Sequence, residues 1–296
     1  MPRSTEIATT LASQHDLYAA LRHLAATLPD LSFAEVLAAA PAPEAHRLAG
    51  VDQALLQAVL RAGAGLPPVA TADAVREWLA RTTPAPLFLP EITAHPSLAL
   101  LTRGERPDMP AFSDRTFDTW FAAKAVPYGL GAYGEKRSVY ATDQFADSAS
   151  PERRTIHLGV DVFAPAMTPV HAPLPGCVAA VTYNADPLDY GHTLILTHDA
   201  GGTPFHTLYG HLAGTLPTLM KVGDPVAPGQ VIAQLGDWHE NGGWAAHLHF
   251  QIITDMLDQR GGNFFGVGQE SLWDIWQSVS PDPNLILRLP SERFQI

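Results

Sequence analysis

Two short segments, about ninety residues apart, alternate polar and apolar side chains with the two-residue period of a half-buried β-strand. In the first segment the polar face carries His157, Gly159 and Asp161, and glycine is a poor residue for a helix interior. In the second segment the polar face carries His247 and His249. The alternation therefore predicts two strands, each with one apolar face.

The polar faces of these two segments carry residue types that bind zinc. A catalytic zinc ion takes three nitrogen or oxygen ligands from the protein and leaves a fourth position for water. His157, Asp161 and His249 would supply that set, and Gly159 between them would leave room for the ion. Because a strand rises by about 3.3 Å per residue, His247 lies roughly 7 Å from His249 and can stand beside the ion.

The segment 207–212 lies between the first two and contains a Tyr-x-His-Leu string around His211. Together the three strings resemble the M23 family of zinc metallopeptidases, also called the LytM or lysostaphin type, whose members carry HxxxD, Tyr-x-His-Leu and HxHF strings in this order. The similarity extends from about Ile156 to Ile253. It implies a mainly β fold, a compact antiparallel domain similar to the duplicated hybrid motif, with the site in a groove across one sheet.

The family resemblance also implies a chemistry. Zinc would lower the pKa of a water molecule towards about 7 and polarise the carbonyl of a peptide bond. His211 and His247 would stand beside the metal as the catalytic histidines, one to take or orient the water proton and either to stabilise the oxyanion. The substrate would be a peptide with small or Gly/Ala-containing links, and the murein peptides of peptidoglycan are the leading candidate.

Several positions depart from the usual family pattern. Gln251 stands where glutamate commonly follows the HxH string, and Ala246 and Met167 stand in place of a proline and a glycine. The loop 236–244 departs most, because it is rich in tryptophan and polar side chains. We expect this loop to border the groove and to narrow the choice of substrate.

Other classes of function stay open on the residues alone. The chain could be a catalytically silent metal- or ligand-binding module that regulates a partner, or a hydrolase of a cytoplasmic amide other than murein. Residues 222–233 also resemble the turn-and-strand unit of phosphocarrier and biotinyl-like domains. Lys221 does not stand at the hairpin tip that a carrier domain needs, and the carboxylate of Asp161 favours a metal site over a phosphohistidine.

Charge and composition argue against several partners. The chain of 296 residues has a net charge of -12 and a pI near 5.4, whereas nucleic acids and anionic membranes attract clustered lysine and arginine. A single cysteine excludes an internal disulfide. Since no apolar run has the length of a signal-peptide core or a membrane span, we expect a cytoplasmic protein.

The residues before the zinc motifs have a different periodicity. Leu17, Leu21, Leu24 and Leu28 recur at helical spacings from a pattern that begins near Leu11. A proline-rich stretch follows, and strand signal resumes within 112–140. The predicted division is a helical N-terminal domain at 1–83, a linker or wrapping segment at 84–111, and an M23-type metallopeptidase domain at 112–296.

Two segments outside the zinc motifs narrow the resemblance. Residues 134–140 and the tail 281–287 resemble a branch of M23 modules that is found fused to kinase-like and class III aminotransferase domains. If the chain belongs to this branch, the resemblance gives less support to peptidoglycan as its substrate.

Overall fold

The structure is a computed structural model, and it describes residues 2–102, 106–137, 139–140 and 142–295. The first part of the chain is helical, and α2 buries Leu17, Leu21 and Leu24 on one face, as the leucine spacing predicts. The helical pattern begins before Leu11, since the first helix starts at Arg3. The six helices are α1 (Arg3–Ser13), α2 (Leu17–Thr27), α3 (Phe33–Ala39), α4 (Ala42–Ala49), α5 (Gln53–Gly63) and α6 (Ala72–Arg81).

The rest of the chain is mostly β. The strands are β1 (Ser97–Ala99), β2 (Tyr128–Gly131), β3 (Ile156–His157), β4 (Val160–Phe163), β5 (Pro169–His171), β6 (Gly176–Asn184), β7 (Gly191–Asp199), β8 (Pro204–Leu212), β9 (Pro225–Val226), β10 (Val231–Gln234), β11 (His247–Ile253) and β12 (Val267–Gly268). The described residues of this part also form the helices α7 (Thr116–Ala122), α8 (Leu216–Leu219), α9 (Trp273–Val279) and α10 (Asn284–Leu287).

A large sheet organises the molecule. Eight strands pair in the order β1-β2-β4-β11-β8-β7-β6-β9, and every pair is antiparallel except β1 with β2. The mainly β fold with a large antiparallel sheet and a helical N-terminal region is therefore confirmed. β11 lies between β4 and β8, so that His249 is opposite Asp161 on one side and Gly210 on the other.

The two faces of β11 meet different partners. Leu248, Phe250 and Ile252 are fully buried in a core that also contains the small β5–β10 sheet. The other face, which includes Ile253, meets a second core built largely by the N-terminal helices. The predicted alternation of 247–252 is thus correct, and its histidines project from the sheet face on the side of the helices.

The prediction of one continuous strand over 157–162 is wrong. Leu158 donates its backbone N–H to the carbonyl of Gly266, and the chain passes there from the β3–β12 pair to β4 of the large sheet. A Cβ on Gly159 would lie 2.6 Å from Nε2 of His249. Gly159 therefore leaves room for the imidazole of His249, not for an ion directly.

The expected strand signal of 112–140 is only partly correct, because α7 occupies 116–122 before β2 begins. The proline-rich stretch contributes β1 to the edge of the large sheet. Val75 and Leu79 of α6 pack in the core beneath the sheet. Since helices and sheet share core residues, the division at 83 and 111 stays a proposal.

In the described ranges, no helix has the length and apolar character needed to cross a membrane.

Candidate metal centre

Three buried side chains bring one ligand atom each to a common point. Nε2 of His157 lies 3.0 Å from Nδ1 of His249, and Oδ1 of Asp161 lies 3.2 Å from each of these nitrogens. The three residues are at most 3% exposed. In a tetrahedral zinc site with bonds of about 2.0–2.1 Å, ligand atoms lie about 3.3 Å apart. The spacing and the donor set therefore fit a zinc ion.

Hydrogen bonds orient the two imidazoles of this cluster. Nδ1 of His157 lies 2.9 Å from the carbonyl oxygen of Ala132. This hydrogen bond requires a proton on Nδ1, so Nε2 carries a free lone pair. Nε2 of His249 lies 3.0 Å from Oε1 of Gln251 and donates there, which leaves Nδ1 free. Such outer partners set the tautomer of a metal-binding histidine. The two histidines thus present their free nitrogens to the same point.

A buried arginine holds the carboxylate of the cluster. Nη1 of Arg137 donates over 2.7 Å to Oδ2 of Asp161, and its Nε donates over 2.8 Å to Glu135. Burial raises the pKa of Asp161, but His157 and Arg137 outweigh it and hold that pKa well below its usual value. Asp161 is therefore an anion with Oδ1 free for a metal. Neither Arg137 nor Glu135 was predicted as a site residue, because the role of Arg137 depends on a contact with Asp161, 24 residues further along the chain.

His211 and His247 lie side by side next to the cluster, with ring centroids 4.2 Å apart. Nδ1 of His211 donates to the carbonyl of Asn241 over 2.8 Å, and Nδ1 of His247 to that of Ala245 over 2.7 Å. Nε2 of His247 lies 3.9 Å from Oδ1 of Asp161. Burial lowers the pKa of both histidines, so both are neutral at neutral pH with Nε2 as a proton acceptor.

A bulge in β8 places His211. The register between β7 and β8 shifts between His192 and Leu194, which pair with Leu212 and Tyr209. His211 within this shift has a left-handed backbone with φ of 64°. A bulge turns a side chain away from the regular alternation, and here it directs the imidazole of His211 towards His247.

A cavity of about 280 Å³ opens beside these histidines. Asp161, His211, His247 and His249 line it together with aromatic side chains, namely Phe112, Tyr140, Phe145, Tyr190, Trp244, Phe264 and Phe265. The loop 236–244 contributes Trp244 to the lining and Asn241 to the hydrogen bond with His211, which agrees with the expected position of this loop at the groove.

Among the described residues, three that line the cavity carry a buried donor without a hydrogen-bond partner, namely Arg137 at Nη2, Tyr190 and Trp244. The donor of Tyr190 is its hydroxyl, and that of Trp244 is the indole N–H. Burial raises the pKa of Tyr190 well above its usual value, so its phenol stays protonated. Gly210 and Gly266 leave space for this tyrosine, because a Cβ at either position would overlap its ring or hydroxyl. The cavity thus offers unused donors to an oxygen acceptor.

Residues 155–260 match the model of peptidase family M23, which confirms the resemblance stated for the three strings. No curated protein matches the chain. The relation to the branch with fused kinase-like and aminotransferase domains stays a prediction, and Ser138 in that segment lies outside the described residues.

Solved structures of peptidases also align with the chain. A zinc-containing peptidase from Vibrio cholerae is 31% identical over 34% of this chain and 28% of its own length, with a TM-score of 0.29. The catalytic domain of lysostaphin from Staphylococcus simulans is 22% identical over 53% of this chain and 96% of its own, with a TM-score of 0.33. LytU is 29% identical over 44% of this chain and 83% of its own length, with a TM-score of 0.29. The chain thus spans less than a third of the Vibrio peptidase.

Proposed function

Starting from the match of residues 155–260 to peptidase family M23, we propose that this chain is a zinc-dependent metalloendopeptidase. His157, Asp161 and His249 would hold the metal, and His211 and His247 would act beside it. One observation supports this proposal most directly: three free ligand atoms lie 3.0–3.2 Å apart in a buried cluster beside two neutral imidazoles.

Zinc, when bound, would polarise the scissile carbonyl and lower the pKa of water. As water attacks the carbonyl carbon, Nε2 of His211 or His247 accepts its proton, since the Nδ1 atoms are engaged with backbone carbonyls. The carbon–nitrogen bond then breaks, and the leaving amine takes a proton from the imidazolium. Before this bond breaks, the imidazolium would donate from Nε2 to the oxyanion. The other histidine, whose Nε2 carries no proton, would orient the water by accepting its second hydrogen bond. At His247, the nearby carboxylate of Asp161 would stabilise the imidazolium.

The substrate that we propose is a peptide, with murein peptides as the first choice. Family resemblance supports murein, and the small cavity supports short side chains at the scissile bond. The hydroxyl of Tyr190 and the indole of Trp244 would donate to carbonyl oxygens of such a peptide.

The test is metal content by elemental analysis, with hydrolysis of a panel of murein peptides measured in parallel. Wild type should hold one zinc per chain and release peptides, and Asp161→Ala should lose both. Asp199→Ala is the control that should keep both, because Asp199 is exposed at the end of β7 and belongs neither to the cluster nor to the cavity lining. Zinc without cleavage would favour another amide substrate or a binding role, and wild type without zinc would overturn the site.

A further inference from the structure

One wall of the cavity comes from a segment that has little regular structure, residues 142–154, which we call the wall segment. Gln144, Phe145 and Arg154 of this segment line the cavity. The two ends of the segment are joined, because Arg154 donates from Nη2 to the carbonyl of Gln144 over 2.7 Å and from its backbone N–H to that of Phe145 over 3.0 Å. These bonds therefore connect the three lining residues to one another.

The N-terminal helix α2 holds the middle of the wall segment. The hydroxyl of Tyr18 donates over 2.6 Å to Oδ2 of Asp147, and Tyr18 is only 1% exposed. The backbone N–H of Leu17 donates over 2.8 Å to the carbonyl of Ala149. The first N–H groups of a helix have no partner within the helix, so this carbonyl satisfies one of them.

Helix α4 holds Ser148 and Ala149 of the wall segment from another side. Arg47 donates from Nε to the carbonyl of Ser148 over 2.8 Å and from Nη2 to that of Ala149 over 3.1 Å. The hydroxyl of Ser148 returns a 2.8 Å bond to the carbonyl of Arg47. Nη2 of Arg47 also bonds the carbonyl of His15, just before α2. Arg47 thus joins α4, the start of α2 and the wall segment.

We infer that the N-terminal helices fix one wall of the substrate cavity, and that Tyr18 and Arg47 are positioning residues for substrate binding. The part that concerns substrate rests on the proposed function. A loop of this length samples many conformations unless it is held, and a substrate that must first order its own wall binds more weakly. The bonds to residues 147–149 remove that cost before substrate arrives.

The experiment compares Tyr18→Phe and Arg47→Met with Arg22→Met in the zinc-loaded full chain. Arg22 is the matched control, since it lies on α2 and pairs with Asp274 of α9, away from the wall segment. Hydrogen exchange of peptides within 142–154 is followed by mass spectrometry, and KM, kcat and zinc content are measured on the same preparations.

We expect exchange in 142–154 to be roughly tenfold faster in Tyr18→Phe and Arg47→Met, and KM to rise about fivefold, with kcat and zinc unchanged. Arg22→Met should change neither exchange there nor KM. If the two test variants exchange like Arg22→Met, the helices do not hold the wall and the inference is wrong.

Faster exchange with a wild-type KM would overturn the role in substrate binding. A wild type without peptidase activity would instead refute the proposed function, and exchange would still decide whether the helices hold the wall. If Arg47→Met does not fold, Tyr18→Phe still decides, because it removes only one oxygen atom.

Discussion

Arg137 donates a 2.7 Å hydrogen bond to Oδ2 of Asp161, the carboxylate oxygen that does not face His157 and His249. The same guanidinium bonds Glu135, and all three charged groups of this network are nearly inaccessible to solvent. Arg137 thus orients the proposed ligand carboxylate and places one positive charge between two buried carboxyl groups.

Arg137→Met should destabilise the metal-free protein by about 3–5 kcal/mol, because two buried carboxylates lose their counter-charge. Zinc would replace part of that charge at Asp161, so the rise in Tm from EDTA to saturating zinc should be larger in the variant than in wild type. Differential scanning calorimetry measures both values. Arg137→Lys is the control that keeps the charge, and an equal zinc-dependent rise in Arg137→Met and wild type would contradict the prediction.

Substitutions should distinguish the histidines proposed as catalytic groups from those proposed as metal ligands. His211→Ala and His247→Ala should keep zinc and lose about 10²–10⁴-fold in kcat, the range for a general acid–base group, whereas His249→Ala should lose the metal. His198→Ala is the control, since this buried histidine bonds Thr207 in the same sheet and lies outside the cavity lining. Loss of zinc from His211→Ala would show that His211 is itself a ligand.

Stability of the metal-free protein should fall as pH falls from about 6.5 to 4. Burial, with Arg137 adding to it, lowers the pKa of His157 from 6.5 to about 4. Between these values the unfolded chain binds a proton that the folded protein does not, and the free energy of unfolding decreases by about 3 kcal/mol for this group. Asp161, whose pKa is lowered, loses its contribution only at more acidic pH.

Urea unfolding in EDTA at several pH values measures this dependence. His157→Gln should show a shallower decrease between pH 6.5 and 4, because the residue that gains the proton on unfolding is gone. A slope equal to that of wild type would mean that His157 does not titrate in this window.

Gln251 should control the affinity for zinc through His249. Its Oε1 accepts from Nε2 of His249, and its own amide donates to Phe265 and Ser280. Gln251→Ala should weaken zinc binding by about 10–100-fold, because the imidazole loses the partner that sets its tautomer. Competition with a chromophoric chelator measures this affinity. Gln269→Ala, at another fully buried glutamine, should leave it unchanged.

Removing the hydroxyl of Tyr190 should affect function but not stability. Because this hydroxyl has no partner among the described residues, Tyr190→Phe should leave Tm unchanged or raise it, while kcat/KM falls about tenfold through one lost bond to substrate. Tyr209→Phe is the matched control. Its hydroxyl accepts from Thr207, so this variant should lose about 1 kcal/mol of stability and keep kcat/KM.

The fold could be predicted from sequence where the signal is local. The alternation of 247–252 and the leucine spacing of α2 indicate which side chains face a core. The direction of a side chain depends here only on the periodicity of the strand or helix. The break at Gly159 could not be predicted in this way. It depends on the pairing of Leu158 with Gly266 and on the ring of His249, and both partners lie far along the chain.

The amino-acid sequence by itself determined the chemistry that this protein can offer: imidazole and carboxylate groups in strings that match a peptidase family. Only the tertiary structure decided which atoms are free to act. Arg137 engages one oxygen of Asp161, Gln251 engages one nitrogen of His249, and Tyr18 holds the cavity wall from a helix 129 residues away. These contacts depend on distance in space, which residue type and short-range periodicity do not encode.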